Sequence, residues 1–207
     1  MEKLKRSFYE EDTIKVAQKL LGNILVHRTN NTLLYSKIVE VEAYKGIIDK
    51  AAHSYGGKRT KRTEVMYGIP GISYVFLIYG MYNCFNIITE SKDIPTAVLV
   101  RAAEPLNNFD IMSLNRFGKP YSELSNRQKV NLTNGPGKLC MALNIDRSLN
   151  GEDLCKDNIY ILENNDKDFD IESSKRIGID YAEEAAEYKW RFYIKDNIYV
   201  SKTKPRR

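Results

Sequence analysis

Residues 72–88 are dense in β-branched and aromatic side chains, and the run is interrupted at Gly80-Met81. Side chains of these types favour extended backbone, and a short glycine-containing break between two such runs is typical of a β-hairpin. We therefore expect two antiparallel strands joined by a short loop. Because an isolated hairpin is marginally stable in water, the rest of the chain has to build a sheet around it.

The run Glu-Val-Glu-Ala-Tyr that begins at Glu40 alternates as a strand requires. Successive strand side chains point to opposite faces, so Glu40, Glu42 and Tyr44 share one face and the two apolar residues share the other. Two interpretations fit this pattern. The strand is either half-exposed with solvated acids, or it presents its carboxylates for acid–base chemistry.

His53 stands among small residues in the run Ala-Ala-His-Ser, where its own segment offers no apolar side chain to bury it. It is therefore a candidate for contact with a ligand. The loop that follows starts with two glycines and carries four cations within five positions, Lys58, Arg59, Lys61 and Arg62. This composition is suited to the phosphates of a nucleic-acid backbone, and a solvated basic loop is the alternative.

Tyr79 borders the hairpin loop. A ring exposed at a hairpin tip is hard to explain by packing, whereas a side chain wedged between base steps is a known minor-groove device. Phe76, farther from the tip, fits either core packing or base stacking. Residues 93–104 predict another strand, and Arg101 near its end could pair with Glu40 or bind a phosphate.

The 207 residues are enough for one domain with a substantial core, and 43% hydrophobic with 29% charged residues is ordinary for a soluble globular protein. The net charge of +5 and the pI near 8.9 fit an anionic partner. Cys84, Cys140 and Cys155 are odd in number and widely spaced, so we expect free thiols in a reducing compartment. With two histidines in the chain, we expect no metal site.

Residues 1–12 are too charged for a signal peptide, and no apolar run approaches the about 20 residues of a membrane helix. We therefore expect a cytoplasmic protein without a membrane contact. Asp12 can cap a helix that Gly22 ends, and further helices are expected near residues 109–114 and 138–143. Other strands are expected at residues 23–28, 33–42, 158–163 and 190–193, with a turn at residues 29–32. The class is therefore α+β with one antiparallel sheet.

Several motifs, in order along the chain, resemble those of one enzyme family. They begin at Glu40 (Glu-Val-Glu-Ala-Tyr), Ala51 (Ala-Ala-His-Ser), Tyr74 (Tyr-Val-Phe-Leu-Ile-Tyr-Gly-Met-Tyr), Val100 (Val-Arg-Ala-Ala-Glu-Pro) and Gly135 (Gly-Pro-Gly-Lys-Leu-Cys), and Asn86 joins them. On these residues the chain resembles the alkyladenine (3-methyladenine) DNA glycosylase family. The similarity extends over nearly the whole chain and is far more specific than any single motif.

The resemblance implies a monofunctional DNA glycosylase. Such an enzyme flips an alkylated or deaminated purine out of duplex DNA and hydrolyses its N-glycosidic bond with a glutamate-activated water, which initiates base excision repair. The implied fold is a single domain over residues 1–207, with a curved antiparallel sheet, flanking helices and a protruding hairpin. The expected partner is double-stranded DNA with damaged purines, bound by a monomer without a cofactor. We expect the basic tail, residues 202–207, to be disordered.

The resemblance also implies roles for individual residues. Glu42 would activate the water, and Arg101 would lie near the water and the target nucleotide. Tyr44 and His53 would contact the flipped base. Asn86 would act as a filter against the 2-amino group of guanine.

Tyr79 would be the intercalating wedge that fills the space left by the flipped nucleotide. Phe76 departs from the family pattern, because better-known relatives carry tyrosine there. Stacking on a base should survive without the hydroxyl group, but the range of substrates can differ.

Two other functions fit parts of the pattern. A carbohydrate glycosidase could use Glu40 and Glu42 as acid and base, but residues two apart on a strand lie close together and a basic loop has no purpose on a neutral sugar. A non-enzymatic nucleic-acid binding module could stack bases on its aromatic residues. The preferred lesion stays open among 3-methyladenine, 7-methylguanine, hypoxanthine and ethenoadenine.

The hairpin loop decides whether Phe76 can join Asn86 in one base pocket. A two-residue type II′ turn, which the glycine favours, would place the two side chains on opposite faces of the sheet. A loop with an odd number of residues, most simply residues 80–82 with Tyr79 opposite Asn83, would place them on the same face. We predict the odd-numbered loop, with Tyr79 projecting at the tip.

Overall fold

The computed structural model describes residues 1–29 and 32–202. Within these ranges, eight strands form one sheet in which the paired strands run antiparallel. In chain order they are β1 (Ile24–Thr29), β2 (Thr32–Tyr44), β3 (Ser73–Ile78), β4 (Tyr82–Thr89), β5 (Thr96–Pro105), β6 (Ile159–Leu162), β7 (Ile171–Ser174) and β8 (Arg191–Ile194). The order across the sheet is β3-β4-β5-β2-β1-β6, and β8 pairs with both β2 and β7.

The described residues also contain short helices. The α-helices are α1 (Arg6–Tyr9), α2 (Thr13–Leu20), α3 (Phe109–Phe117), α4 (Asn126–Val130) and α5 (Pro136–Ala142). Single 3₁₀ turns span Gly46–Ile48, Tyr55–Gly57, Glu64–Tyr67, Tyr121–Glu123, Arg147–Leu149 and Glu183–Glu187. No helix in these ranges is both long and apolar enough to cross a membrane.

The predicted α+β class is confirmed. The sheet is strongly curled into a half-barrel, with α2 packed on β2 and α5 packed on β4 and β5. The largest side chains that are fully buried come from both the helices and the sheet, among them Leu20, Leu25, Ile38, Phe85 and Leu139. The three cysteines are unpaired, as expected from their number.

The helix predicted to start at Asp12 is present as α2. The Asp12 carboxylate accepts hydrogen bonds from the backbone amides of Ile14 and Lys15, at 3.0 and 3.3 Å. Gly22 follows the helix with a φ of +82°, a left-handed conformation that glycine adopts without strain. One residue at each end, Asp12 and Gly22, was therefore enough to predict where this helix begins and ends.

Strand β2 is the long central strand that carries the two glutamates. It pairs with β1 along its first half and with β5 along its second half, and residues 40–42 also pair with β8. The carboxylates of Glu40 and Glu42 are fully buried. The interpretation of a half-exposed strand with solvated acids is therefore wrong, because Arg101, Arg191, Ser201 and the backbone of Ile177 surround the two carboxylates.

The hairpin of β3 and β4 has the odd-numbered loop that we predicted. Phe76 pairs with Cys84 and Tyr74 pairs with Asn86, so Phe76 and Asn86 lie on the same face. Tyr79 projects at the tip and is 79% exposed.

The hairpin loop itself is residues 79–81 rather than residues 80–82, because Tyr82 stays in β4. A Cβ atom added at Gly137 would lie 2.9 Å from the Cβ of Tyr82, so this tyrosine packs directly on α5. This contact joins segments that are distant in the sequence, so no local turn preference could reveal it.

The remaining strand predictions are confirmed in outline. Residues 158–163 contain β6, β8 ends one residue beyond the predicted range 190–193, and the strand predicted at residues 93–104 begins at Thr96. Strand β7 was not predicted, because its run Ile-Glu-Ser-Ser has a single apolar side chain. The centre of the predicted turn, residues 30 and 31, and most of the predicted disordered tail, residues 203–207, lie outside the described residues.

A buried ion pair connects the end of β2 to the segment that follows β7. Arg176 Nη1 lies 2.5 Å from Asp49 Oδ2, Nη2 lies 2.8 Å from Oδ1, and both side chains are fully buried. The same guanidinium donates hydrogen bonds to the backbone carbonyls of Ala43 and Ala185. It therefore holds the residue after it, Ile177, against β2.

We expect Arg176→Met to lower the free energy of unfolding by about 3–5 kcal/mol, because it leaves the Asp49 carboxylate buried without a partner. Urea denaturation followed by circular dichroism measures the change. Lys175→Met is the matched control, since its ion pair with Glu187 is exposed and should matter little. The double variant Arg176→Met/Asp49→Leu should recover part of the loss. A single variant as stable as the wild type would show that this pair does not hold the segment.

Candidate active site

Five of the residues singled out from the sequence line one cavity. They are Tyr44, His53, Phe76, Asn86 and Arg101. The cavity volume of about 130 Å³ is several times the roughly 15 Å³ that one water molecule requires. The hairpin face, the segment around His53 and the segment after Arg176 therefore enclose a space that can accept a small organic group.

Glu42 lies directly behind this cavity and is fully buried. Its Oε1 accepts a hydrogen bond from the backbone amide of Ile177 at 2.7 Å. Its Oε2 accepts one from Tyr44 Oη at 2.8 Å and lies 3.2 Å from Arg101 Nη1. Three donors converge on the carboxylate, and two of them, Tyr44 and Arg101, also form the cavity wall.

The protonation states of the two wall residues favour this arrangement. Burial, and then the neighbouring Glu42 carboxylate, raise the pKa of Tyr44 well above its ordinary value, so the phenol stays protonated and donates. Burial opposes the charge of Arg101, but the carboxylates of Glu42 and Glu40 outweigh it and raise the pKa of the guanidinium. Both groups therefore keep their protons at neutral pH.

Glu40 has a different environment from Glu42. Its Oε1 lies 3.1 Å from Arg101 Nε and 2.6 Å from Arg191 Nε, and Ser201 donates to both carboxylate oxygens at 2.7 Å. Of the two partners considered for Arg101, Glu40 or a phosphate, the structure shows the ion pair with Glu40. The carboxylate of Glu40 is occupied by four donors and does not line the cavity.

Three partners of these carboxylates were not found from the sequence. Arg191, Ile177 and Ser201 lie more than 130 residues from the glutamates that they contact. Ile177 contributes a backbone amide, for which residue type gives no signal. Arg191 and Ser201 lie at the start of β8 and beyond its end, where nothing in the local pattern separates them from solvated polar residues.

An aromatic cluster forms another wall of the cavity. The His53 and Phe76 ring centres are 4.6 Å apart at nearly perpendicular planes, and Tyr74 and Phe76 are 5.2 Å apart. Phe76 is half-buried and faces the cavity, so it is not purely a core residue. Tyr74 was not singled out from the sequence, although it shares the hairpin face with Phe76.

Two hydrogen bonds define the state of His53. Arg62 Nη2 lies 3.2 Å from His53 Nε2, and a guanidinium can only donate, so Nε2 is the acceptor. The neutral ring therefore carries its proton on Nδ1, which donates to Tyr74 Oη at 2.9 Å. Burial, and then the Arg62 charge, lower the pKa of His53 to about 4.

Asn86 presents one polar atom to the cavity. Its Nδ2 donates to the backbone carbonyls of Tyr74 at 3.0 Å and Cys84 at 3.3 Å. The amide oxygen is the remaining hydrogen-bonding atom of this side chain. Asn86 is held on two strands at once, so its position in the cavity wall is rigid.

The basic loop does not behave as one surface. Arg59 forms ion pairs with Glu64 at 2.7 Å and Asp93 at 3.0 Å and stacks on Tyr67. Lys58 and Lys61 are exposed, and Arg62 turns back toward His53. The phosphate contacts expected of these four cations stay a prediction, which Arg59 fits least well because carboxylates already compensate its charge.

Comparison with known proteins gives consistent matches over nearly the whole chain. The family model for methylpurine-DNA glycosylase (MPG) matches residues 7–198. A relative from Clostridium novyi (strain NT) is 62% identical over 98% of this chain and 100% of its own length. Relatives from Desulfitobacterium hafniense (strain Y51) and Clostridium tetani (strain Massachusetts / E88) are 56% and 55% identical over 97% of this chain and 99% of theirs. All three relatives are named as candidate 3-methyladenine DNA glycosylases.

We expect the imidazole of His53 to titrate near pH 4 rather than near the ordinary value of about 6.5. Imidazole chemical shifts measured by NMR across pH 3.5–8 would show this, and His27→Gln isolates the His53 signals because the chain has two histidines. As the pH falls from about 6.5 to about 4, the unfolded chain binds a proton that the folded chain excludes, so the free energy of unfolding falls. A His53 midpoint close to 6.5 would contradict the buried, neutral ring.

Proposed function

Because this chain belongs to the methylpurine-DNA glycosylase family, we propose that it flips a damaged purine out of duplex DNA and hydrolyses the N-glycosidic bond with a water activated by Glu42. Membership of this family indicates that the chain hydrolyses N-glycosyl bonds in DNA. The observation that carries the mechanism is the Glu42 carboxylate, fully buried behind an aromatic cavity and held by Tyr44, Arg101 and Ile177.

A base stacked in a duplex cannot be reached by a water molecule, so the nucleotide has to leave the helix. Tyr79 at the hairpin tip would enter the duplex and occupy the vacated space. Its 79% exposure fits this role, since the ring has little packing to lose. The cost of unstacking is a few kcal/mol and is lowest for a damaged base, which gives a first selection step.

The flipped purine would occupy the cavity between Tyr44 and the aromatic cluster of His53, Tyr74 and Phe76. An alkylated purine carries a positive charge, which the faces of aromatic rings attract. Asn86 would disfavour guanine by steric contact with its 2-amino group, since the side chain is fixed by two backbone carbonyls and cannot move aside. The cavity would therefore select the flipped base by both its shape and its charge.

In the chemical step, the bond between sugar and base breaks and its electron pair leaves with the base. An alkylated purine becomes neutral in this way and needs no further proton. The sugar gains oxocarbenium character, which the Glu42 carboxylate stabilises. A water oxygen then bonds to the sugar carbon and gives a proton to Glu42, while Arg101 and Tyr44 hold the carboxylate in place.

The DNA backbone would be bound by Lys58, Lys61 and Arg62, with Arg59 as the weakest candidate of the loop. No lysine of the described residues is a convincing nucleophile for the sugar, so we favour hydrolysis without strand cleavage. We further propose that the protein acts as a monomer on DNA in the cytoplasm.

The carbohydrate glycosidase considered above is not favoured by the site. That mechanism would require Glu40 as a second catalytic carboxylate, but Arg101, Arg191 and Ser201 occupy it. A binding module without catalysis would not need a buried carboxylate behind its cavity. Incubation with alkylated duplex DNA and detection of abasic sites separates all three functions.

We expect Glu42→Gln to lower the single-turnover rate of base release by about 10²- to 10⁴-fold, because the amide cannot take the proton of water. Affinity for the same duplex, measured by fluorescence anisotropy, should stay within a few-fold of the wild type. Glu104→Gln, on the same sheet but paired with Lys37 away from the cavity, is the control and should release base at the normal rate. Near-normal release by Glu42→Gln would remove Glu42 as the base.

We expect binding to duplex DNA to weaken steeply with salt. Each phosphate contact contributes about −0.9 to the slope of log affinity against log salt concentration. Lys58→Gln and Lys61→Gln should each make the slope shallower by about this amount, whereas Arg59→Gln should change it less because Glu64 and Asp93 already compensate that charge. Equal slopes in the wild type and both lysine variants would mean that the loop is solvated and does not bind phosphates.

A further inference from the structure

Arg62 differs from the other cations of its loop. Its Nη2 lies 3.2 Å from His53 Nε2, and its guanidinium carbon lies 5.2 Å from the centre of the Phe76 ring. Arg59, by comparison, is neutralised by two carboxylates. Within residues 1–29 and 32–202 no carboxylate pairs with Arg62, so an uncompensated charge lies beside the aromatic cluster.

The Phe76 ring is the group through which this charge can act. The face of an aromatic ring carries a partial negative charge and attracts a cation within about 6 Å of its centre. The Arg62 guanidinium already lies within this distance of the Phe76 ring. A second cation that stacks on the same ring gains less from it and is also repelled by the guanidinium, on whichever face it lies.

The four candidate lesions named from the sequence fall into two charge classes. In DNA, 3-methyladenine and 7-methylguanine are cations, whereas hypoxanthine and ethenoadenine are neutral. A neutral base that stacks on Phe76 is not repelled by Arg62. The two classes should therefore respond differently to the charge at this position, although both would contact the same ring.

We propose that Arg62 is a specificity-determining residue, which reduces the preference of the cavity for cationic over neutral purines. This inference rests on the proposed function, because it requires that a flipped purine stacks on Phe76. His53 cannot replace the effect of Arg62. The hydrogen bond from Arg62 keeps His53 Nε2 unprotonated, so the imidazole adds no charge of its own.

The test compares two duplexes that differ in one base, 7-methylguanine or hypoxanthine. Single-turnover release of each base is measured for the wild type, Arg62→Gln, Arg62→Lys and Lys61→Gln. A phosphate contact affects both duplexes alike and cancels in the ratio of the two rate constants. Asn86 meets the 2-amino group of 7-methylguanine in the same way in all four proteins, so its effect cancels when their ratios are compared. If one base is released too slowly to measure, the ratio of the two dissociation constants in the Glu42→Gln background replaces it.

Because Arg62 is exposed, we expect Arg62→Gln to raise the ratio of 7-methylguanine to hypoxanthine release by about three- to fivefold, which corresponds to ~0.6–1 kcal/mol. Lys61→Gln, which loses the same charge from the same loop without touching Phe76, should leave the ratio unchanged. Arg62→Lys should stay close to the wild type because it keeps the charge.

A ratio for Arg62→Gln within twofold of the wild type would overturn the inference and leave the proposed function intact. An equal rise in Lys61→Gln would also overturn it, since the effect would then belong to the loop as a whole. A wild-type protein that releases neither base would overturn the proposed function itself, and the inference with it.

Discussion

The site depends on one buried arginine between two buried carboxylates. Arg101 contacts Glu40 through Nε and Glu42 through Nη1, and all three side chains are almost completely removed from water. Such charges are tolerated in an interior only when each is paired and hydrogen-bonded. Strand β8 and Ser201 complete the pairing of Glu40, and Ile177 completes that of Glu42. The site can therefore form only when β8 pairs with β2 and the residues on either side of β8 reach the two carboxylates.

This constraint also explains why two glutamates that look equivalent in the sequence have different environments. Glu40 has four donors around it and acts as the anchor of Arg101, whereas Glu42 shares its donors with the cavity wall. Tyr44 and Arg101 separate Glu42 from the space in which a base would lie, so a water that reaches the carboxylate arrives beside two groups that hold protons. In the proposed mechanism, the buried network holds the Glu42 carboxylate in a rigid position behind the cavity.

The aromatic wall shows the same dependence on distant contacts. Phe76 and Asn86 share a face because the hairpin loop has three residues, 79–81, and Tyr82 at its end packs on Gly137 of α5. A hairpin loop that followed the local glycine preference would have turned one of them away from the cavity. Within the basic loop, Arg59 and Arg62 have similar sequence surroundings, but carboxylates compensate the first and an aromatic cluster receives the second. Loop composition alone could not separate their roles.

The sequence by itself determined which side chains share a face, since alternation along a strand is local geometry. It placed Glu40, Glu42 and Tyr44 together, marked both ends of α2 through Asp12 and Gly22, and supplied the ordered motifs by which the family could be recognised. Only the tertiary structure decided which carboxylate shares its donors with the cavity wall, because the partners that distinguish the two glutamates are brought in from more than 130 residues away. Backbone periodicity extends over a few residues, whereas the pairing of a buried charge depends on every segment that closes around it.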